Sequence, residues 1–448
     1  MDYSTTTTAT SSVEKLPGTP TDLEEGKSKE VSASVSPADL AGQLEQTPTM
    51  RRKARLQFAT LCCSIFVAGW NDGTLGPMLP RLQEVYNVGY TTVSFLFIVS
   101  CVGAISGSCI YLYVTERFRY GLVVVIASFV MMIAYSIEAA LVPFPVFIAV
   151  YFLIGLGSSF LNAGSSAFLA NVSGGKASTR FGMLHGAYGL GAMASPLVST
   201  QFASAPHWSY VYLIHIGILV VTATMQILAF RGQSQEDCAR EVGVPPSALE
   251  REPLVNRYKR VFKLPAVHLM ALFTFVYVGT EVSIGSWIVT YVIKLRNGGP
   301  SSGYMSSGLF GGLMVGRLAL LPFSKLVGER RVIFVYILAV VGCELVVWLV
   351  PSIIADGIAV AFVGFFLGPL MPILTNHAGR ILPTDLISGG VGWISCWGAA
   401  GAAVFPFITG ALASKVGIEA LNPMVVASMG VLFIIWACVP RSRKQIEG

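Results

Sequence analysis

The sequence predicts an all-α integral membrane protein with twelve transmembrane helices in two pseudo-symmetric six-helix halves. Three observations carry this. Hydrophobic residues make up 54% of the 448 residues and charged residues 12%, about half the charged share of a soluble domain. Uncharged stretches long enough for a span of roughly 20 residues recur from 56 to 439. The one long polar interruption, 231–264, divides those stretches six and six. Such a chain has too little charge to cover soluble globules. It excludes a soluble enzyme, a nucleic-acid-binding module and a disordered scaffold, so the net charge of +6 is no sign of a nucleic-acid partner.

Residues 1–55 are expected to be a disordered cytoplasmic tail, because Met1 to Met50 is rich in Ser, Thr, Pro and Glu and has no apolar run. The amino-terminal half, 56–230, should hold helices at 56–79, 92–114, 120–141, 145–170, 181–203 and 208–230. Its last two are divided only by Ala205-Pro206-His207, since 181–230 holds no charge. The segment 231–264 is expected to be a cytoplasmic loop. The carboxy-terminal half, 265–440, should hold helices at 265–293, 303–323, 332–350, 355–378, 387–412 and 421–439, followed by a cytoplasmic tail at 441–448.

Lys and Arg orient these spans, because cytoplasmic loops are enriched in them. With the amino terminus inside, 22 fall on the cytoplasmic side, including Arg51, Arg52, Lys53, Arg55, Lys176 and seven in the central loop. Four fall outside: Arg81, Lys294, Arg296 and Lys415. The sequon Asn171-Val172-Ser173 is then cytoplasmic and carries no glycan. The plasma membrane is the first expectation, a vacuolar or other internal membrane the second.

A charge inside a span is expensive and marks function by default. Asp72 follows Asn71 in helix 1, among Gly69, Gly73, Gly76 and Pro77, which are expected to weaken the helix and free backbone groups to face a cavity. Its two readings are a local cap and a substrate or proton site. Glu281 lies mid-span in helix 7, sharing a face with Tyr277 and lying on a different side from Trp287. Asn162 in helix 4, with His185 and Tyr188 one turn apart in helix 5, adds polar groups at depth. Trp393 and Trp397 form a one-faced aromatic pair in helix 11. Arg317 in helix 8 reads as a gating residue that snorkels or pairs with an inner carboxylate. Glu344 has no identifiable partner, and Glu138 is expected at the outer interface with no special role. The spacings Gly69/Gly73, Gly182/Gly186 and Gly312/Gly316 suit helix packing. The eight Cys form no CxxC pair, and no HExxH, P-loop or GxSxG occurs, so neither a metal nor a cofactor is expected.

At these residues the chain resembles a known family. Twelve spans with a central loop resemble the major facilitator superfamily. The stretch Thr115-Glu116-Arg117-Phe118-Arg119-Tyr120-Gly121 looks like a degenerate form of its helix 2–3 gating motif. Asn71-Asp72, the run Tyr277 to Ser286, and His185 to Ala192 with Ser195-Pro196 are similar to the fucose permease and glucose/galactose transporter branch and its fungal relatives. The resemblance implies proton symport by alternating access, with Asp72 joining proton and sugar binding. That branch carries an acid in helix 4, where this chain has Phe160-Leu161-Asn162-Ala163. The expected partners are a hexose-like small molecule, protons and the lipid bilayer, with the monomer as the working unit. The alternatives are a proton-driven exporter of a metabolite or drug-like compound and a nontransporting nutrient sensor.

Overall fold

The computed structural model describes residues 47–172, 177–243, 259–383 and 386–441. Most of the amino-terminal tail, Ser173 of the sequon, Lys176, loop residues 244–258 with Arg251 and Arg257, and 442–448 lie outside the described residues. The long helices are α1 Pro48–Tyr86, α2 Tyr90–Arg117, α3 Tyr120–Ala139, α4 Phe144–Val172, α5 Ala177–Ala203 and α6 Val211–Phe230. A short helix, Gln235–Glu241, caps the connector. Then come α7 Pro265–Leu295, α8 Tyr304–Ala319, α9 Glu329–Leu349, α10 Ile353–Ile381, α11 Ile387–Val416 and α12 Leu421–Cys438. Beyond Ala319, α8 bends by 55° into Leu321–Val327. A turn at Gly368-Pro369 interrupts α10.

Among the described residues, nine helices are long and apolar enough to cross a membrane, or ten with the bent α8 pair. α1 and α5, at 39 and 27 residues, are as long. They are less apolar because they carry Asn71, Asp72, His185 and the glycines around them. With these two the described residues hold twelve long helices, a number consistent with the twelve spans that hydropathy predicts.

Two differences from the expected elements have physical causes. α1 begins at Pro48, stapled by the Thr47 side chain accepting from Met50 N, so 48–55 are helical rather than tail. It also runs unbroken through Pro77 and Pro80. Each proline orphans the carbonyl four residues before it. Those carbonyls belong to Gly73 and Gly76, the residues with most backbone freedom. The glycines serve close approach instead: a side chain on Gly69 or Gly73 would collide with the α5 backbone at Tyr188 and Ala192.

Close packing also exposes an internal repeat. Gly103 of α2 abuts the Phe152 carbonyl of α4, and Gly155 abuts the Ser100 carbonyl. In α8 and α10, Gly312 abuts the Ala361 carbonyl and Gly364 the Leu309 carbonyl. All four positions recur at an offset of 209 residues. At the end of the bundle away from the termini, the Tyr86 hydroxyl donates to the Val142 carbonyl (2.8 Å) and that of Tyr291 to Val347 (3.3 Å). The two halves are thus built alike. Gly182 and Gly186, by contrast, meet nothing within 4 Å, so that expected packing pair belongs to no seam.

The halves meet tightly at the end opposite the termini, here called the far end. Thr91 N and Oγ1 donate to Ser414 Oγ (3.0 and 2.8 Å), and Gln201 bonds Tyr304. Phe95 packs on Phe407 (5.2 Å) and Tyr90 on Trp287 (5.8 Å). Towards the end with the termini, the interface opens. His185 is exposed there, and a side chain added at Gly182, Gly186, Gly379 or Gly392 would meet only open space.

Candidate functional site

The polar side chains that hydropathy singles out converge at mid-depth. On the amino-terminal half, the Tyr188 hydroxyl donates to Asp72 Oδ2 (2.8 Å) and Asn71 Nδ2 to Asp72 Oδ1 (3.1 Å). The Tyr135 hydroxyl donates to Asn71 Oδ1 (2.8 Å). This chain of bonds, from α3 through α1 to α5, is possible because Gly69 and Gly73 let α5 close onto α1. Asn71 and Asp72 keep partial exposure.

On the carboxy-terminal half, Glu281 is 6% exposed. It interacts electrostatically with Arg317, Tyr277 and, across the halves, Asp72. Arg317 in turn feels Tyr277, Glu281 and Tyr188. The Tyr277 hydroxyl lies beside both Glu281 and Arg317, yet neither it nor Arg317 Nε makes a hydrogen bond of good geometry. Two buried polar atoms without partners face a cluster of carboxylates, and such atoms call for a ligand or water. The cluster holds two carboxylates and one guanidinium. Glu281 has the guanidinium as its counter-charge. Asp72 has only the neutral Tyr188 and Asn71 as hydrogen-bond donors.

The structure therefore brings together Asn71, Asp72, Tyr188, Tyr277 and Glu281. It adds Arg317, expected at a gate, and His185, which lies within electrostatic reach of Arg317. Tyr135 was missed; its signal was its place three residues before Glu138 on one face of α3. Asn162 is exposed on α4. Trp287 lies apart: it is 0% exposed, and its Nε1 donates to the Pro406 carbonyl (3.0 Å) at the closed end. Trp393 and Trp397 do form a ring pair (6.0 Å), packed on Phe262 of the connector and Phe275 of α7. Glu116 and Arg117 are exposed at the end of α2 nearest the termini, away from the cluster. Asn376 donates to Glu329 (3.1 Å) and so faces the open end. Glu138 departs most from expectation: it is 0% exposed, and neither oxygen has a hydrogen-bond partner. It lies inside the bundle rather than at an interface. Among the described residues, no group of His, Cys, Asp and Glu could hold a metal ion.

The chain is similar to several known proteins. It is 26% identical over 423 residues to Bypass of stop codon protein 6 of Saccharomyces cerevisiae, covering 88% of this chain and 84% of that one. It is 22% identical over 331 residues to the glucose/mannose transporter GlcP of Bacillus subtilis, covering 71% and 78%. In three dimensions it superposes on the crystal structure of a mutant of the nucleoside transporter NupG with a TM-score of 0.69 at 9% identity, over 86% of this chain and 99% of that one. The family model for the Major Facilitator Superfamily matches residues 61–406, most of the twelve-helix bundle. On that match and that fold, the chain belongs to the Major Facilitator Superfamily of membrane transporters.

Proposed function

We propose that the protein takes up a neutral, hydroxylated small molecule of hexose type together with a proton, by alternating access about the cluster between its halves. The observation that carries this reading is the unequal surroundings of the two carboxylates. Glu281 has Arg317 as its counter-charge, whereas Asp72 receives only neutral donors. Asp72 is therefore the group whose charge is left for a proton to cancel. The remaining groups, the amide of Asn71, the hydroxyls of Tyr188 and Tyr277, the imidazole of His185 and the Glu281 carboxylate, suit a ring bearing several hydroxyls. The names of GlcP and NupG also point to ligands that contain a sugar ring. With the termini in the cytoplasm, as the charge bias favours, the structure is the inward-open state. Each half supplies part of one site, so a monomer suffices.

Asp72→Asn tests this in proteoliposomes with a panel of labelled sugars. Asparagine mimics the protonated carboxyl in shape and stays neutral at all pH. The variant should exchange substrate between equal pools but not concentrate it on a pH gradient, and binding should lose its pH dependence. Asp72→Ala should in addition bind about 5–10-fold more weakly, the loss of a hydrogen bond worth about 1 kcal/mol. Full pH-driven accumulation by Asp72→Asn overturns the reading.

A further inference from the structure

Glu138 lies at the far end of α3, second from its last residue. Tyrosines from four helices share its electrostatic field: Tyr86 of α1, Tyr135 of α3 itself, Tyr151 of α4 and Tyr212 of α6. Two basic groups lie on those helices at this end, and neither bonds Glu138; Arg81 Nε is itself left without a partner. His215 of α6 donates from Nδ1 to the Val211 carbonyl (3.0 Å) and bonds Thr74 through Nε2 (3.1 Å). Arg81 of α1 pairs with Glu84 (2.8 Å). A fully buried carboxylate with neither counter-ion nor donor is too costly to keep as an ion.

We propose that Glu138 is a second proton-binding site, serving the far compartment rather than the cavity, and that Tyr135 reports its state to Asp72. This rests on the proton-coupled reading of Asp72 and extends it. The argument turns on one hydrogen atom. Tyr135 has a single hydroxyl proton and gives it to Asn71 Oδ1. That bond orients the amide so that Nδ2 faces Asp72. While Glu138 holds its proton, it needs no donor, and Tyr135 stays on Asn71. Once Glu138 loses the proton to the far side, its carboxylate becomes the strongest acceptor in reach. The Tyr212 hydroxyl, which has no hydrogen-bond partner of good geometry, and the Tyr135 hydroxyl then both turn to it, because charge-assisted bonds are about twice as strong as neutral ones. Asn71 is released, and the donor that it holds on Asp72 loosens. Protons on the two acids are thus linked, and the linkage is reciprocal.

Infrared difference spectroscopy on the purified full-length protein tests this without a known substrate. Titration from acid to alkaline pH should reveal a protonated-carboxyl carbonyl band in the parent and in Asp72→Asn. That band, the one kept in Asp72→Asn, should be absent from Glu138→Gln, in which Asp72 and the other buried acids still contribute bands of their own. In Tyr135→Phe, which keeps the packing and removes the hydroxyl, that same band should persist at a shifted frequency and titration midpoint. Glu138→Gln reconstituted in vesicles should also lose the dependence of sugar exchange on far-side pH while keeping its dependence on cavity-side pH. Survival in Glu138→Gln of the band kept in Asp72→Asn, or a Tyr135→Phe spectrum and midpoint equal to the parent's, overturns the proposal. Neither result touches the Asp72 reading, which fails only if Asp72→Asn accumulates substrate.

Discussion

At the scale of single residues, the site is a problem of unequal charge. Arg317 is shared by Glu281 and the hydroxyls of Tyr277 and Tyr188, so removing it leaves Glu281 without compensation. Arg317→Gln and Glu281→Gln should each lower thermal stability and substrate affinity. The double variant should lose less than the sum, with a coupling of about 0.5–3 kcal/mol. Thermal unfolding in detergent, run as a double-mutant cycle, measures it; strict additivity would show that the two groups act separately. These residues were legible because a charge in an apolar run stands out in one dimension. What could not be read is where each side chain points. Helical spacing puts Glu281 and Trp287 on different sides of α7, but does not show that one side meets the Pro406 carbonyl at the closed end and the other Arg317. Glu138 lies near the end of its helix, where sequence suggests water. Its surroundings come from Tyr86, Tyr151 and Tyr212, up to 74 residues away in the chain.

At the scale of helices, existence and order were legible from hydropathy, while continuity was not. The same glycines and prolines that suggest a break in α1 allow it to run on without one while packing against α5, and only the neighbouring helix decides which role a glycine takes. The repeated seams give a paired prediction. Gly103→Ala and Gly312→Ala push a methyl into a carbonyl of the facing helix, and each should destabilise by about 1–3 kcal/mol. Gly342→Ala in α9, where nothing lies within 4 Å, should be neutral or stabilise by up to about 1 kcal/mol. Comparing unfolding midpoints of the three variants checks this, and an equal effect at all three sites would deny that the seams are tight. The connector helix adds a pH-dependent element outside the bundle. The Ser234 hydroxyl, aided by Arg240, holds the exposed Asp237 carboxyl below its usual range. A group whose folded pKa is depressed stabilises above its unfolded value and loses that contribution as pH falls through the folded one. The Gln235–Glu241 helix should therefore fray only in acid, and Ser234→Ala should fray it at neutral pH, seen as faster amide exchange confined to that segment.

At the scale of the whole molecule, the far end is shut and the end with the termini is open. Thr91→Cys with Ser414→Cys, oxidised to a disulfide, should hold this state. Transport should fall to background while binding from the open side persists, and reduction should restore flux. Flux that survives cross-linking would place the moving surfaces elsewhere. The charge bias makes a separate prediction about direction. A cysteine in place of exposed Ser301 should react with an impermeant thiol reagent from outside the cytoplasm, and one in place of exposed Glu236 should not; reversed labelling would invert the orientation.

The far-end closure also has a polar part. Three hydrogen bonds from Thr91 and Gln201 span it beside the ring contacts Phe95–Phe407 and Tyr90–Trp287, and at about 1 kcal/mol each these bonds alone contribute about 3 kcal/mol, or roughly two orders of magnitude in population. A solute approaching from the far compartment then meets a receptive protein only a small fraction of the time, and its apparent affinity there is weakened by that fraction. The open face carries no such penalty. A carrier with one binding site thereby presents two faces that differ in affinity although the site is the same, and the Thr91, Ser414 and Gln201 side chains at the rim contribute to how strongly.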